Sequence, residues 1–399
     1  MRTTTWRSPR YPCTDRPLRV GVIAPPFLPV PPPGYGGTER VVGILCEGLV
    51  GRGHDVTLFA APGSVTSARL VTPLETAPTL GDPSSVPEEF LYTTAAYLRA
   101  DAFDVIHDHS GMGPALGSML AGRPPVVHTL HGPWTPYSQR FIGLVDDRVH
   151  VVAISRAQQA DNPFIRYAGM VYNGVDLRAH PFNADKEEFL VYLGRVSPEK
   201  RPEQAIDVAR RSGRPLVMIV KRSEPAERNY WDHMVAPRLG SDVEVMEEPP
   251  DDVKVDVLGR AKALIFPIDW PEPFGLVMTE AMACGTPVIA RRLGAAPEVI
   301  AHGVTGLLCD SLDDMVDAVA GIGSLRPVDC RRRAEQHFSA DAMACAYERI
   351  YATAIGERDD VPGRHRTRPH VTPAYARPAS DRLASDALGR LVGRELTRR

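Results

Sequence analysis

The chain has 399 residues, enough for two domains of ordinary size, and its hydrophobic content of 43% and charged content of 24% are typical of a globular protein. Its formal net charge of -3 gives no overall field that would favour nucleic acid or an anionic membrane as a partner. No apolar run reaches the roughly 18 residues of a membrane-spanning helix, and six cysteines without CxxC or metal-like spacing favour reduced thiols in a cytoplasmic protein.

A first domain is predicted over residues 18–183. It opens with an apolar strand at 19–24, and a proline-rich loop follows that ends in Gly36 and Gly37. Thr38 is predicted to cap a helix whose apolar residues recur at helical spacing. A glycine-rich loop between a strand and a helix lets an anionic ligand approach the backbone. Because the loop lacks GxGxxG and no acidic residue closes the second strand, an NAD or FAD enzyme is not expected.

Two later strands of this domain end in histidine. Residues 62–87 are rich in threonine, serine and proline and are predicted to be a loop, and a helix is predicted at 90–99. The strands that follow end near His109 and His131. Ligands bind at the carboxyl ends of strands in a parallel sheet, so both histidines are candidate ligand contacts, with a structural hydrogen-bonding role as the alternative. A metal at the His-Asp-His run 107–109 is disfavoured, because no further ligand cluster lies nearby in the sequence.

A second domain is predicted over residues 184–339. It opens with a strand at 189–193, and the next loop carries Arg195 and Lys200, five residues apart. Arginine offers a planar fork of donors and lysine a point charge, so the pair suits a diphosphate. A solvated basic loop is the alternative reading of the same residues. The following strand ends in Lys221, whose role stays open.

The most informative segment joins a buried strand, a loop with Glu272, a helix that starts at Gly275, and another strand at 287–290. This order is typical of a parallel sheet. The helix start offers backbone N–H groups and a positive dipole end, which suit a phosphate. Glu280 lies roughly 7 Å further along the helix, which fits one ligand with a phosphate and a hydroxylated ring. The alternative is a solvated Glu280 and a Glu272 that only favours the helix start.

These residues resemble the signature of the retaining glycosyltransferases of the GT-B fold, family 4. The family pattern is Glu, seven residues, Glu, with Phe-Gly-Leu after the first glutamate, and here it runs from Glu272 to Glu280. The resemblance covers roughly residues 18–355. It implies an α/β fold in which two Rossmann-like doubly wound domains face a cleft, the first for the acceptor and the second for the nucleotide sugar. A C-terminal helix at 340–356 is expected to cross back to the first domain.

The resemblance also implies roles for individual residues. The implied catalytic residues are Glu272, which contacts and orients the sugar, and His131, which hydrogen-bonds it; whether Glu272 also acts as a nucleophile stays open. The implied donor-binding residues are Arg195, Lys200, Phe274, Gly275, Leu276 and Glu280. The implied loop near donor and acceptor contains Gly36 and Gly37, and the further candidates are His109 and Lys221. The turn at 247–250 departs from the family's glycine-containing turn, which puts the contacts with the base in doubt.

The activity implied by the resemblance is retaining transfer of a hexosyl group from an NDP-sugar to an acceptor hydroxyl, with no metal and no other cofactor. UDP, GDP and ADP stay open as the nucleotide, and a glycan, a lipid or a small molecule stays open as the acceptor. Two alternatives remain. One is a nucleotide-sugar epimerase on the same fold, which would turn over donor without acceptor. The other is a protein that binds a nucleotide sugar without catalysis.

Both ends of the chain are predicted to be disordered. Residues 1–17 carry arginines but no apolar segment, so they are interpreted as a leader and not as a secretory signal peptide. Residues 357–399 contain ten arginines against six acidic residues, with several prolines. A weak amphipathic turn in this tail leaves a peripheral membrane contact open, although a solvated tail is favoured.

Overall fold

The computed structural model describes residues 16–119 and 124–359. Nearly all of the predicted leader and the predicted tail beyond Asp359 lie outside these residues. No helix within the described part of the chain is long and apolar enough to cross a membrane. The five described cysteines are all free thiols, and four of them are buried.

The N-terminal half forms a seven-stranded sheet in which every neighbouring pair is parallel. Its strands are β1 (Arg19–Ile23), β2 (Asp55–Phe59), β3 (Arg69–Val71), β4 (Val105–Asp108), β5 (Val126–Thr129), β6 (His150–Ala153) and β7 (Tyr167–Met170). Its helices are α1 (Gly37–Gly51), α2 (Ser85–Tyr97), α3 (Gly113–Ser118), α4 (Pro136–Gly143) and α5 (Arg156–Asp161). The strand order β3-β2-β1-β4-β5-β6-β7 reverses at β1. Such a reversal opens a crevice at the carboxyl ends of the strands, where ligands bind.

The C-terminal half forms a second parallel sheet, of six strands in the order β10-β9-β8-β11-β12-β13. Its strands are β8 (Leu190–Arg195), β9 (Leu216–Lys221), β10 (Val243–Glu247), β11 (Ala263–Phe266), β12 (Val288–Arg291) and β13 (Gly306–Cys309). The helices of this half are α6 (Pro202–Arg211), α7 (Pro225–Tyr230), α8 (Asp251–Arg260), α9 (Leu276–Ala283), α10 (Ala296–Val299), α11 (Leu312–Gly321), α12 (Pro327–His337) and α13 (Ala340–Asp359). The two parallel sheets confirm the predicted α/β class with two Rossmann-like domains.

Strands at the centre of both sheets are buried on both faces. All four residues of β4, β5 and β11 are buried, and β1 and β2 are buried after their first residue. Such strands read as continuous apolar runs because helices cover both faces of a parallel sheet. This is why the central strands could be predicted from the sequence.

Two edge strands were not predicted. β3 lies within residues 62–87, which were predicted to be a loop, and it pairs with Thr57–Phe59 of β2. β7 pairs with β6 through an irregular register. Both are short and partly exposed, so neither has the apolar run or the alternation that predicts a strand.

The start of α1 also differs from the prediction that Thr38 caps it. The helix begins at Gly37, with Gly36 before it, and Thr38 lies within the first turn. A Cβ atom on Gly36 would lie 2.7 Å from Cγ of Pro32. The chain therefore enters α1 by packing its backbone against a proline ring, a contact that propensity rules for capping do not consider.

The last helix, α13, packs on the first sheet although it follows the second in sequence. Met343, Tyr347 and Tyr351 lie in one core with α1, and the hydroxyl of Tyr347 is 2.9 Å from Oγ1 of Thr129 in β5. Fully buried Glu348 accepts from Arg52 Nε at 2.7 Å. The helix runs to Asp359, three residues beyond the predicted end at 356.

Candidate active site

The start of α9 is shaped by Gly275. This residue has φ 81°, a left-handed backbone conformation that glycine adopts without steric cost. A Cβ atom there would lie 2.6 Å from Cε of Met278 and 3.3 Å from Cζ of Phe266. The predicted helix start is thus found in the structure, with Gly275 immediately before the first helical residue. Met278 N donates to Gly275 O at 3.0 Å, whereas the N–H groups of Leu276 and Val277 have no carbonyl partner within the helix and give this end a positive potential.

Lys200 and Glu272 meet just before α9. The Lys200 ammonium donates to Oε2 of Glu272, and Nε1 of Trp270 donates to the same oxygen at 3.0 Å. The ammonium also lies 4.8 Å from the centroid of the Trp270 ring. The two loops are joined by their backbones, since Asp269 N donates to Glu199 O at 3.0 Å. The structure therefore brings together a cation and a carboxylate that are 72 residues apart in sequence.

Glu280 lies inside α9 and is 7% exposed. Within the described residues, its carboxylate has no hydrogen bond and no ion pair. A buried carboxylate is costly unless it is hydrogen-bonded or paired. Its oxygens are therefore available to accept from ligand hydroxyls.

Arg195 and Lys221 lie side by side on β8 and β9, where they are register partners. Arg195 donates to Oε1 of Glu199 at 3.0 Å. Lys221 donates to Glu224 at 2.9 Å and to both oxygens of buried Glu227 at 3.0 Å. Arg195 likewise faces two carboxylates, because its Nη1 lies 3.9 Å from Oε1 of Glu227. The two cations thus share Glu227, and the role of Lys221 toward a ligand stays a prediction.

The glycine loop of the first domain reaches these cations. The ring of Tyr35 lies 5.9 Å from the Arg195 guanidinium and 5.5 Å from the Lys221 ammonium. A Cβ atom on Gly37 would lie 3.5 Å from Cδ1 of Leu276. Arg40 of α1 pairs with Asp251 of α8 at 3.1 Å. Gly37 is thus placed next to the start of α9, and Gly36 precedes it in the same loop.

His109 and His131 form a pair at the carboxyl ends of their strands. Nδ1 of His109 lies 2.8 Å from Nε2 of His131, and the two rings stack. The other nitrogen of each ring, His109 Nε2 and His131 Nδ1, is buried without a hydrogen-bond partner in the described part of the chain. Burial lowers the pKa of His131 to about 3. Because His131 is neutral, its unpaired Nδ1 can form one hydrogen bond with a sugar hydroxyl, as donor or acceptor according to the tautomer.

We expect this buried histidine group to make folding sensitive to acid. Burial lowers the pKa of His128 to about 4, and it lowers the pKa of His107 and His109 well below the usual value. The unfolded chain therefore binds more protons below pH 6.5, so the free energy of unfolding must fall as pH falls. Each such histidine contributes up to about 1.4 kcal/mol per pH unit. Asp108 opposes this, because burial raises its pKa to about 6.

Urea unfolding at pH 6.5, 5.8 and 5.0 measures this dependence. His131→Gln should make the slope of unfolding free energy against pH shallower by about one proton. His233→Gln is the matched control, because His233 is exposed on the second domain. Equal slopes for His131→Gln and wild type would contradict the expectation.

Phe274 and Leu276 differ in their surroundings. Phe274 is 2% exposed and packs against Tyr172 and Phe338, so its side chain is part of the core. Leu276 is half-buried and touches the cores of both domains. Within the Phe-Gly-Leu run, the glycine shapes the helix start and the two apolar residues anchor it.

Three residues near the site were not predicted. Trp270 lies two positions before Glu272, and the turn formed by Glu272 N donating to Trp270 O at 2.9 Å brings their side chains together, which the sequence did not show. Tyr35 lies in the glycine loop that ends in Gly36 and Gly37, and a single aromatic residue among glycines could have indicated a contact residue. Glu227 has no comparable signal, because only the fold brings it to Lys221.

Two family models match the chain. The model described as Glycosyltransferase Family 4 matches residues 35–179, and the model described as Glycosyl transferases group 1 matches residues 176–335. Together they span well over half of the chain, and their junction falls between the two sheets.

Relatives and solved structures agree with these models. D-inositol 3-phosphate glycosyltransferase of Mycolicibacterium smegmatis is 28% identical over 88% of this chain and 94% of its own length. AviGT4, a glycosyltransferase involved in avilamycin A biosynthesis, is 28% identical, with a TM-score of 0.66 over 85% of this chain and 98% of its own. HepE of Anabaena, solved with UDP-glucose, shares the fold at 18% identity and a TM-score of 0.63, over 84% of this chain and 99% of its own. This chain therefore belongs to family 4 of the GT-B glycosyltransferases.

Proposed function

We propose that this protein transfers a hexosyl group from a nucleotide diphosphate sugar to an acceptor hydroxyl, with retention of anomeric configuration. The observation that carries this proposal is the contact of Lys200 with Glu272 immediately before α9. It supports the proposal because a cation suited to a phosphate, a helix start and a carboxylate suited to sugar hydroxyls lie together where two loops meet. Such a set suits a ligand whose diphosphate adjoins a hydroxylated ring.

The diphosphate is proposed to bind between Arg195, Lys200 and the start of α9. Negative charge grows on it as the bond to the sugar breaks, and fixed positive groups stabilise that charge most strongly in a site from which water is excluded. These groups supply the role that a divalent cation has in other transferases, so we expect activity without added metal. Glu280 is proposed to accept from the ribose hydroxyls.

The sugar is proposed to lie between Glu272 and His131. The acceptor oxygen attacks the anomeric carbon on the face from which the diphosphate departs, and its proton passes to the departing phosphate oxygen. Glu272 orients the ring through its hydroxyls, and neutral His131 hydrogen-bonds the sugar. Closure of the two domains would keep water from the anomeric carbon and limit hydrolysis.

HepE was solved with UDP-glucose, so a UDP-hexose is proposed as the donor class. D-inositol 3-phosphate, named in the relative's activity, is the first acceptor to test. The experiment incubates the protein with UDP-, GDP- or ADP-glucose and this acceptor, with and without EDTA, and reads the anomeric configuration of the product by NMR. A retained product formed in EDTA is expected.

Other outcomes would contradict parts of this proposal. An inverted product would overturn retention, and activity abolished by EDTA would overturn metal independence. Donor that is converted without any acceptor would favour the epimerase alternative. Binding of donor without turnover across a broad panel of alcohols would favour a binding protein.

A further inference from the structure

The single positive charge of Lys200 has two partners in the proposed reaction. In this structure its ammonium contacts Oε2 of Glu272. The proposed function also assigns this ammonium to the donor diphosphate. A lysine ammonium is a compact point charge on a flexible stem, so it can turn from the carboxylate to the phosphate. Glu272 then needs another donor to keep its orientation.

Trp270 is placed to be that donor. Its Nε1–H donates to Oε2 of Glu272 at 3.0 Å, on the same oxygen that Lys200 contacts. The backbone reinforces this geometry, because Glu272 N donates to Trp270 O at 2.9 Å. The side chain of Glu272 is 11% exposed, so few orientations are open to it. Within the described residues, Oε1 has no hydrogen-bond partner, and it is the oxygen left for a sugar hydroxyl.

The same indole also faces the ammonium. The Lys200 nitrogen lies 4.8 Å from the Trp270 ring centroid and 6.0 Å from that of Phe266. Tryptophan gives the strongest cation–π attraction of the aromatic residues. The cation is attracted to the face of the ring as a whole and not to one atom of it. The ring can therefore keep contact with the ammonium while it moves between two anions.

We propose that Trp270 is a positioning residue for Glu272 in the transfer reaction. It holds Oε2 when Lys200 turns to the diphosphate, so that Oε1 stays directed at the sugar. This inference rests on the proposed function. It predicts that the loss of the indole N–H affects the sugar and the chemical step, and leaves the binding of a bare nucleotide diphosphate unchanged.

The experiment compares wild type with Trp270→Phe, Glu272→Gln and the double variant. Phenylalanine keeps a ring for Lys200 but removes the N–H. The matched control is Trp231→Phe, because Trp231 lies in the same domain and faces a cation as well, with the Arg222 guanidinium 4.6 Å from its ring. The readouts are the affinities for UDP and UDP-glucose by calorimetry, and kcat and KM for transfer.

Trp270→Phe is expected to lower kcat about 10- to 30-fold and to leave the affinity for UDP within twofold of wild type. Its effect should largely disappear in the Glu272→Gln background, since the two residues act as one unit and their effects are not additive. Trp231→Phe should leave kcat within twofold. Additive losses in the double variant, or wild-type kcat in Trp270→Phe, would overturn the inference while transfer by wild type upholds the proposed function. A wild type that binds UDP-glucose no better than UDP and transfers nothing would overturn both.

Discussion

Replacing Lys200 with alanine is expected to lower kcat/KM for the nucleotide sugar about 1,000-fold. Two losses combine. The bound diphosphate loses a cation in the ground state, and it loses a larger stabilisation in the transition state, where its negative charge grows. A hydrogen bond to a charged group is worth about 1.5–3 kcal/mol, so the affinity for UDP alone should fall roughly 10- to 100-fold. The remaining loss should appear in kcat. Calorimetry with UDP and steady-state kinetics with the full donor separate the two.

Lys262→Ala is the control for this substitution. Lys262 also pairs with a glutamate of the second domain, at 2.9 Å from Glu188, and that pair is part of no proposed site. Its loss should change kcat/KM less than twofold, since exposed pairs contribute little. Glu272→Gln should retain UDP affinity, because Glu272 is assigned to the sugar. Unchanged UDP affinity in Lys200→Ala would remove Lys200 from the phosphate site.

Gly294→Ala is expected to damage the site from a position outside the proposed substrate contacts. Gly294 has φ +53°, and a Cβ atom there would lie 2.3 Å from both N and O of Glu272. Ala295 N also donates to Glu272 O at 2.9 Å. The loop after β12 therefore supports the backbone of Glu272, and a methyl group would force the two apart. We expect a loss of about 3 kcal/mol of stability or more, beyond the usual 1–2 kcal/mol for a left-handed residue, and a kcat about 100-fold lower.

Gly303→Ala is the control that separates the cost of a left-handed backbone from the cost of the clash with Glu272. Gly303 has φ +75°, but a Cβ atom there would have nothing within 4 Å. Its substitution should cost only roughly the usual 1–2 kcal/mol of a left-handed residue and leave kcat unchanged. Denaturant unfolding and transfer kinetics of both variants make the comparison. Similar losses in the two variants would show that conformation alone, and not contact with Glu272, explains the effect at Gly294.

Much of this molecule could be predicted from the order of residues. The central strands are apolar runs because they are buried on both faces, and Gly275 with the apolar positions after it predicts where α9 starts. Glu280 lies within α9 and Glu272 only four residues before its first residue, so local sequence places both near the helix start. The resemblance to family 4 of the GT-B fold rests on this local run, and the two family models confirm it.

The contacts that make the site were decided only by tertiary structure. The sequence indicated that Lys200 and Glu272 are both candidate site residues. It did not show that they are in contact, because 72 residues separate them. Folding also placed Glu227 against Lys221 and the ring of Phe274 in the core, and the sequence showed neither contact. Local patterns report which face of an element is apolar and where it starts. Which charges neutralise each other depends on how separate elements pack, and that is set by the whole fold.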